Sequence, residues 1–218
     1  MIFFCECAIL MHMKTVLFID SCLKAEESRT KRIANVFINE LRKSDLFYIE
    51  TVVVDKIPLV PLGLVEYKHR RRLLDEKKTN DPLFNCAKQF SSADLIVVAA
   101  PFWDMSFPAK LKIYFENISV AGFSFVNTPD GNSIGICKAE KMVYITTRGM
   151  DICDGHIMEQ ASPYLKALAM FFGIKEFEMI SAYGTDINTL SETEKRIEAA
   201  KQKALEVAQI IIDQERNN

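Results

Sequence analysis

The sequence predicts an α/β protein built on an open, doubly wound sheet of five parallel strands. Three observations predict it. Short runs rich in β-branched residues, at 15–20 and 94–100, lack polar alternation, as expected of parallel strands covered on both faces. Segments of helical periodicity separate such runs throughout, so strand alternates with helix. A chain of 218 residues, 49% hydrophobic and 26% charged, is long enough to bury a large core as one domain.

The elements follow in order. Residues 15–20 (TVLFID) read as the first strand. Ser28, Arg29 and Thr30 then precede Ile33, Ala34, Val36, Phe37, Ile38 and Leu41, a spacing that predicts an amphipathic helix over about 30–43 with a hydroxyl cap. The second strand falls at 46–54 and the third at 94–100. Between them, the run Lys68-His69-Arg70-Arg71-Arg72 reads as a solvated helical face. At 122–131, alternating residues run into Pro129-Asp130-Gly131, which predicts a small hairpin inserted before the fourth strand at 141–147. The apolar stretch 164–173 is greasier than one buried helix face requires, so it packs in the core or meets a partner helix. A fifth strand at 176–183 and a long helix from Ser191 to about Gln214 complete the pattern.

Bulk properties exclude several classes. Lysine and arginine number 27 against 29 acidic residues, a net charge of -2, so there is no basic field for nucleic acid. Six scattered cysteines (5, 7, 22, 86, 137 and 153) in a chain with ample core read as reduced thiols of a cytoplasmic protein. Residues 1–12 are apolar but lack a basic start, contain Glu6 and are too short to span a bilayer, so no membrane role follows. They read as an extra N-terminal segment or a misplaced start, ahead of a single domain at 13–218.

Ligands of doubly wound sheets bind beyond the carboxyl ends of the strands, which singles out three loops. The first holds Ser21, Ser28, Arg29 and Thr30 at a helix start, where backbone N–H groups and the helix dipole favour a phosphate. Nucleoside triphosphate and dinucleotide fingerprints are absent. The second, with Phe102, the lone Trp103, Met105 and Phe107, offers an apolar platform for a flat ligand. The third, Thr146-Thr147-Arg148-Gly149-Met150, supplies a cation and hydroxyls for the polar edge of a ring. Taken together the loops fit a phosphate-bearing aromatic cofactor.

The segments VLFIDSCLKAEESRTKRI, PFWDMSFPAKLKIYFENISVAGFSF, ITTRG and YLKALAMFFGI make the sequence resemble the FMN-dependent NADH:quinone oxidoreductases and azoreductases, of flavodoxin-like fold. The resemblance implies a sheet of order 2-1-3-4-5, a tightly bound FMN, and NADH or NADPH as hydride donor. It implies ping-pong transfer through flavin N5 to a quinone or azo compound, in a homodimer. It places Ser28, Arg29 and Thr30, with Ser21 in support, at the FMN phosphate, and Pro101, Phe102, Trp103, Asp104 and Met105 along the isoalloxazine. Thr147, Arg148, Gly149 and Met150 correspond to its third motif, with Arg148 and Gly149 at the pyrimidine edge. Phe123, Phe125 and His156 are candidates for the substrate pocket, and Phe123, Phe125 and the 164–172 stripe for the dimer surface. Asp104 stands where the family usually has Asn, and Met150 where it usually has Gly. A carboxylate at 104 is expected to disfavour an anionic reduced flavin and lower its potential.

Two rival classes are weighed against this. A flavodoxin-type electron carrier would bind FMN without reacting with NADH, but such carriers are shorter and strongly acidic. A phospho-receiver module needs an acidic pair after the first strand and a lysine after the fifth, whereas this chain has Asp20 alone and then SAYGTD. Cys153, His156 and Glu159 lack a fourth ligand for zinc, and His12, His69 and His156 have no nucleophile pattern beside them.

Overall fold

The computed structural model describes residues 13–24 and 27–217, so the predicted N-terminal segment, with Cys5, Cys7 and His12, lies outside the described residues. The chain runs β1 (Lys14–Asp20), α1 (Arg29–Lys43), β2 (Phe47–Val53), α2 (Leu64–Asp75), α3 (Asn85–Ser92), β3 (Leu95–Ala99) and α4 (Ala109–Ile118). A hairpin of β4 (Phe125–Asn127) and β5 (Ser133–Gly135) follows, then β6 (Lys141–Thr147), α5 (Ala161–Phe171), β7 (Glu176–Ala182) and α6 (Leu190–Arg216). The main sheet has the order β2-β1-β3-β6-β7, and every neighbouring pair is parallel. Without the hairpin strands this is the order 2-1-3-4-5 implied by the resemblance.

Both faces of the sheet are covered, most completely at its centre, where β3 (LIVVA) is apolar and buried at every position, while the edge strands β2 and β7 carry Glu50, Glu176 and Glu178. Period-two alternation sends Val16, Phe18, Leu95, Val97, Val143 and Ile145 to one face, where Ile33, Phe37 and Leu41 of α1 and Ile197, Ala204 and Ile211 of α6 close over them. Leu17, Ile19, Ile96, Val98, Met142 and Tyr144 point to the other, against Phe90 of α3, Leu111 and Phe115 of α4 and Leu165 of α5. Each fully buried side chain of this size stabilises the fold by about 1.5–3 kcal/mol relative to exposure.

Local chemistry sets the ends of the helices. Ser28 caps α1, its Oγ accepting from Lys31 N at 3.3 Å. Thr189 and Glu192 form a reciprocal capping box at the start of α6. After α5, Gly173 takes φ 85°, and the amides of Gly173 and Ile174 return to the carbonyls of Met170 and Ala169. There the hairpin lies backbone against backbone on the helix end: a Cβ on Gly135 would come within 2.0 Å of the Phe172 carbonyl carbon. Lys68, His69, Arg71 and Arg72 lie exposed on α2, as the sequence indicates, but Arg70 of the same run turns inward, half-buried, and donates to Glu116 O at 3.2 Å. No helix among the described residues is long and apolar enough to cross a membrane.

Candidate functional site

The loops leaving β1, β3 and β6 meet at the carboxyl edge of the sheet. Asp20, buried at the end of β1, accepts from Cys22 N at 2.9 Å and pairs with Lys31 Nζ at 3.3 Å, which folds the loop back onto the start of α1. The first turn of α1 contains no acidic residue, so its N-terminal N–H groups face no competing charge from that turn. Burial, followed by the charge of Asp20, pushes the Cys22 thiol up to about 12, so it stays a neutral packing group.

Two cross-links hold the loops in register. Thr30 Oγ1 and Thr147 Oγ1 lie 2.7 Å apart, joining the first loop to the third. Phe102 N donates to Thr147 O at 3.0 Å, joining the second to the third. Beyond Phe102 the chain reverses tightly: Trp103 and Ser106 exchange backbone hydrogen bonds at 3.0 and 2.9 Å. The two central residues, Asp104 and Met105, have φ of 49° and 59°. A two-residue turn with positive φ at both positions favours Asn, Asp or Gly first, which gives Asp104 a conformational reason. Met105 has no such reason, and its left-handed backbone costs on the order of 1 kcal/mol. Gln160 N donates to Met105 O at 3.0 Å and anchors the turn, which leaves Trp103 55% exposed.

A cavity of about 290 Å³ lies between these loops, bordered by Ser28, Arg29, Pro101, Phe102, Trp103, Thr147 and Gly149. A fourth loop, after β7, also borders it through Thr185 and Asp186, which the three-loop reading omits. Its backbone is stitched to the third loop: Thr185 N donates to Arg148 O at 3.1 Å, Asp186 N to Gly149 O at 3.0 Å and Gly184 N to Met150 O at 2.8 Å. The signal was in the sequence, because the strand at 176–183 is followed by Gly184-Thr185-Asp186, a polar turn at the same edge. Trp103 and Asp104 also wall a more open groove with Lys112, Gln160 and Tyr164. A larger depression of about 700 Å³ lies at the opposite end of the sheet, where Lys14–Glu215, Lys138–Asp94 and Lys141–Glu176 already pair its charges.

Several predicted site residues lie elsewhere. Arg148 does not present its guanidinium to the cavity. Its amide donates to Ala182 O at 2.8 Å, so the strand alternation continues and the side chain falls on the Tyr144 face, with no exposure. There Arg148 Nη2 donates to Asp154, the guanidinium carbon sits 5.6 Å from the Tyr183 ring centroid, and Nε and Nη1 have no hydrogen-bond partner among the described residues. Met105 and Met150 do not line the cavity; their carbonyls serve as loop anchors, and their side chains are partly exposed. Ser21 and Thr30 are buried beneath it rather than bordering it. The three residues assigned to the substrate pocket are likewise outside it. Phe123 stacks on Phe84 at 5.1 Å, Phe125 packs on Phe171 at 4.9 Å, and His156 Nδ1 accepts from Met158 N at 3.1 Å. Among the described residues, no group of three or more His, Cys, Asp or Glu is placed to hold a metal ion.

A family model described as "Flavodoxin-like fold" matches residues 14–208. The FMN-dependent NADH:quinone oxidoreductase of Clostridium beijerinckii is 34% identical over 200 residues, covering 90% of this chain and 98% of that protein. The chain belongs to this flavodoxin-like oxidoreductase family. Another relative, the FMN-dependent NADH:quinone oxidoreductase of Clostridium perfringens, is 31% identical over 200 residues, with coverage of 90% and 98%. Among solved structures, an azoreductase from Bacillus anthracis superposes with a TM-score of 0.79 at 23% identity, covering 90% of this chain and 99% of that one. An FMN-dependent NADH-azoreductase from Bacillus anthracis, solved in complex with FMN, gives 0.78 at 22% identity, with coverage of 92% and 100%. At those identities the solved structures speak for the flavodoxin-like fold of this family member.

Proposed function

We propose that this chain is an FMN-dependent NADH oxidoreductase that reduces quinones or aromatic azo compounds, working as a cytoplasmic homodimer with residues 13–218 as one cofactor-binding domain. One observation carries the reading: the hydroxyl-capped start of α1, whose first turn has no acidic residue, borders with Lys24, Glu27 and Arg29 the same cavity as the exposed Trp103 turn. Its relatives over nine-tenths of the chain carry names for this activity. The donor set fits FMN, because a helix start with a hydroxyl and a guanidinium suits a phosphate, and aromatic side chains beside it suit a flat ring.

Bound FMN supplies two-electron redox chemistry between donor and acceptor. The protein binds and orients. Ser28, the α1 amides and Arg29 hold the phosphate, while buried Ser21 and Thr30 keep the loop in place. Pro101, Phe102 and Trp103, which border the cavity, would hold the flavin ring, with Trp103 as its cover and Asp104 and Met105 closing the turn that positions it. Thr147 and Gly149, which border the cavity from the third loop, would offer backbone and hydroxyl dipoles to the edge of the flavin that becomes negative on reduction. Arg148 acts from behind this edge by fixing the loop. Leu165, Ala169 and Phe172 of the 164–172 stripe are buried in the chain's own core, so the surface offered to a second subunit is its exposed side, Met170 and Phe171, with Phe125 packed on Phe171 and Phe123 beside Phe84.

The test is stopped-flow mixing of the FMN-loaded protein with NADH. Bleaching of the flavin bands, followed by recovery on adding a quinone, is the expected result. An absence of bleaching would leave only an electron carrier, and a failure to bind FMN would remove both.

A further inference from the structure

Among the described residues, the one arginine bordering the cavity already holds an anion from its own chain. Arg29 Nη1 is ion-paired with Asp186 and donates to Thr185 Oγ1 at 3.2 Å. The carboxylate is held over the cavity floor by main chain: Asp186 N donates to Gly149 O at 3.0 Å, and a Cβ on Gly149 would stand 2.0 Å from Asp186 Oδ2. Glycine at 149 therefore makes room for a carboxylate. The pair is well exposed, with 36% of the Arg29 side chain and 66% of the Asp186 side chain open to solvent, so it adds little to folding. It sits instead at the start of α1, where the helix dipole and the acid-free first turn favour any anion.

We infer that Asp186 sets cofactor affinity and specificity as a built-in competitor, occupying Arg29 where the cofactor's phosphate must bind. This rests on the FMN reading above. A phosphate dianion reaching Arg29 has to displace the carboxylate or bind beside it, and both lessen the advantage of a phosphorylated ligand over an unphosphorylated one. Removing the charge while keeping the side-chain shape then strengthens phosphate binding and leaves ring binding alone. The backbone hydrogen bond to Gly149 survives such a change.

The experiment titrates full-length protein, stripped of flavin, with FMN and with riboflavin, following flavin fluorescence for wild type, Asp186→Asn and Asp186→Glu. Asp186→Asn is expected to bind FMN about tenfold more tightly, with a steeper loss of affinity as salt rises, while riboflavin binding stays within about twofold. Asp186→Glu, which keeps the charge, should stay near wild type and shows that the loop tolerates substitution. Weaker or unchanged FMN binding in Asp186→Asn overturns the inference, making Asp186 an orienting partner of Arg29 or a bystander. Equal gains for both ligands also overturn it, since they point to cavity shape rather than charge. If wild type binds FMN and these results fail, the competitor role alone falls; if no variant binds FMN, the proposed function falls with it.

Discussion

Arg29, at the start of α1, and Arg148, in the loop after β6, sit at one edge of the sheet, and each meets a carboxylate, yet their surroundings are opposite. Arg29 is part-exposed, bordering the cavity, and its partner Asp186 is more exposed still. Arg148 has no exposure and stands between Asp154 and the Tyr183 ring, with two guanidinium nitrogens that have no hydrogen-bond partner among the described residues. The thiols of the loops after β1 and β6 reverse the pattern: Cys22 is packed beside Asp20, whereas Cys153 is exposed. An exposed pair at a cavity exchanges its partner readily for a ligand. A buried charge depends on the partner it has. Burial, rather than residue type or loop membership, separates binding groups from structural ones here.

The largest effect should come from the buried arginine. Asp154→Ala removes the acceptor of Arg148 Nη2, leaving a buried cation without an acceptor among the contacts now seen. Because Asp154 is itself half exposed and water can enter, the expected loss is about 2–3 kcal/mol, less than for a fully buried pair. In a domain of this size that lowers Tm by roughly 5–10 °C. Adding Arg148→Met to that variant should recover most of the loss, since the uncompensated charge is gone. A melt of Asp154→Ala within a degree of wild type would show that Arg148 does not depend on its carboxylate.

A smaller effect on stability, with a larger one on binding, is expected at Trp103. Its side chain is 55% exposed and its turn is closed by backbone bonds to Ser106, so Trp103→Ala should change unfolding free energy by about 0.5 kcal/mol. FMN affinity should fall about tenfold as the ring cover is lost. Equal losses in stability and binding would make Trp103 a core residue after all.

Much of the fold was legible because parallel strands announce themselves as unbroken apolar runs. β6 falls at Lys141–Thr147 as read from the sequence, and the hairpin follows from Pro129-Asp130-Gly131. The three loops of the candidate site were legible for the same reason, since strand ends locate them. Side-chain direction beyond a strand end was not. Whether Arg148 faces the cavity or the Tyr144 side depends on one more residue of ladder, the bond from its amide to Ala182, which no local pattern encodes. Asp186 was passed over because the fourth loop carries no phosphate-like motif of its own; it matters through Arg29, 157 residues away in sequence. Phe123 and Phe125 look alike as exposed aromatics in sequence, yet each has an intrachain ring partner.

The smallest effect, and the sharpest check of the exposure contrast, is chemical. Desolvation raises the thiols of Cys22, Cys86 and Cys137, to about 12 for Cys22 and Cys137. Only thiolates react with disulfide reagents, so at pH 8 peptide mapping should find Cys153 modified quickly and these three protected. The same shifts set a stability trend. Each raised thiol stays neutral in the folded chain while its unfolded counterpart ionises near the ordinary thiol value of 9.0, so the contribution is intact below about pH 9. Above that the unfolded state loses protons first, and stability falls as the pH climbs toward 12. Cys22→Ser should flatten this alkaline slope with little change at neutral pH. Rapid labelling of Cys22 in the folded protein would instead mean that the β1 loop opens readily, and the ion pair between Arg29 and Asp186 would then belong to a mobile edge rather than to a formed site.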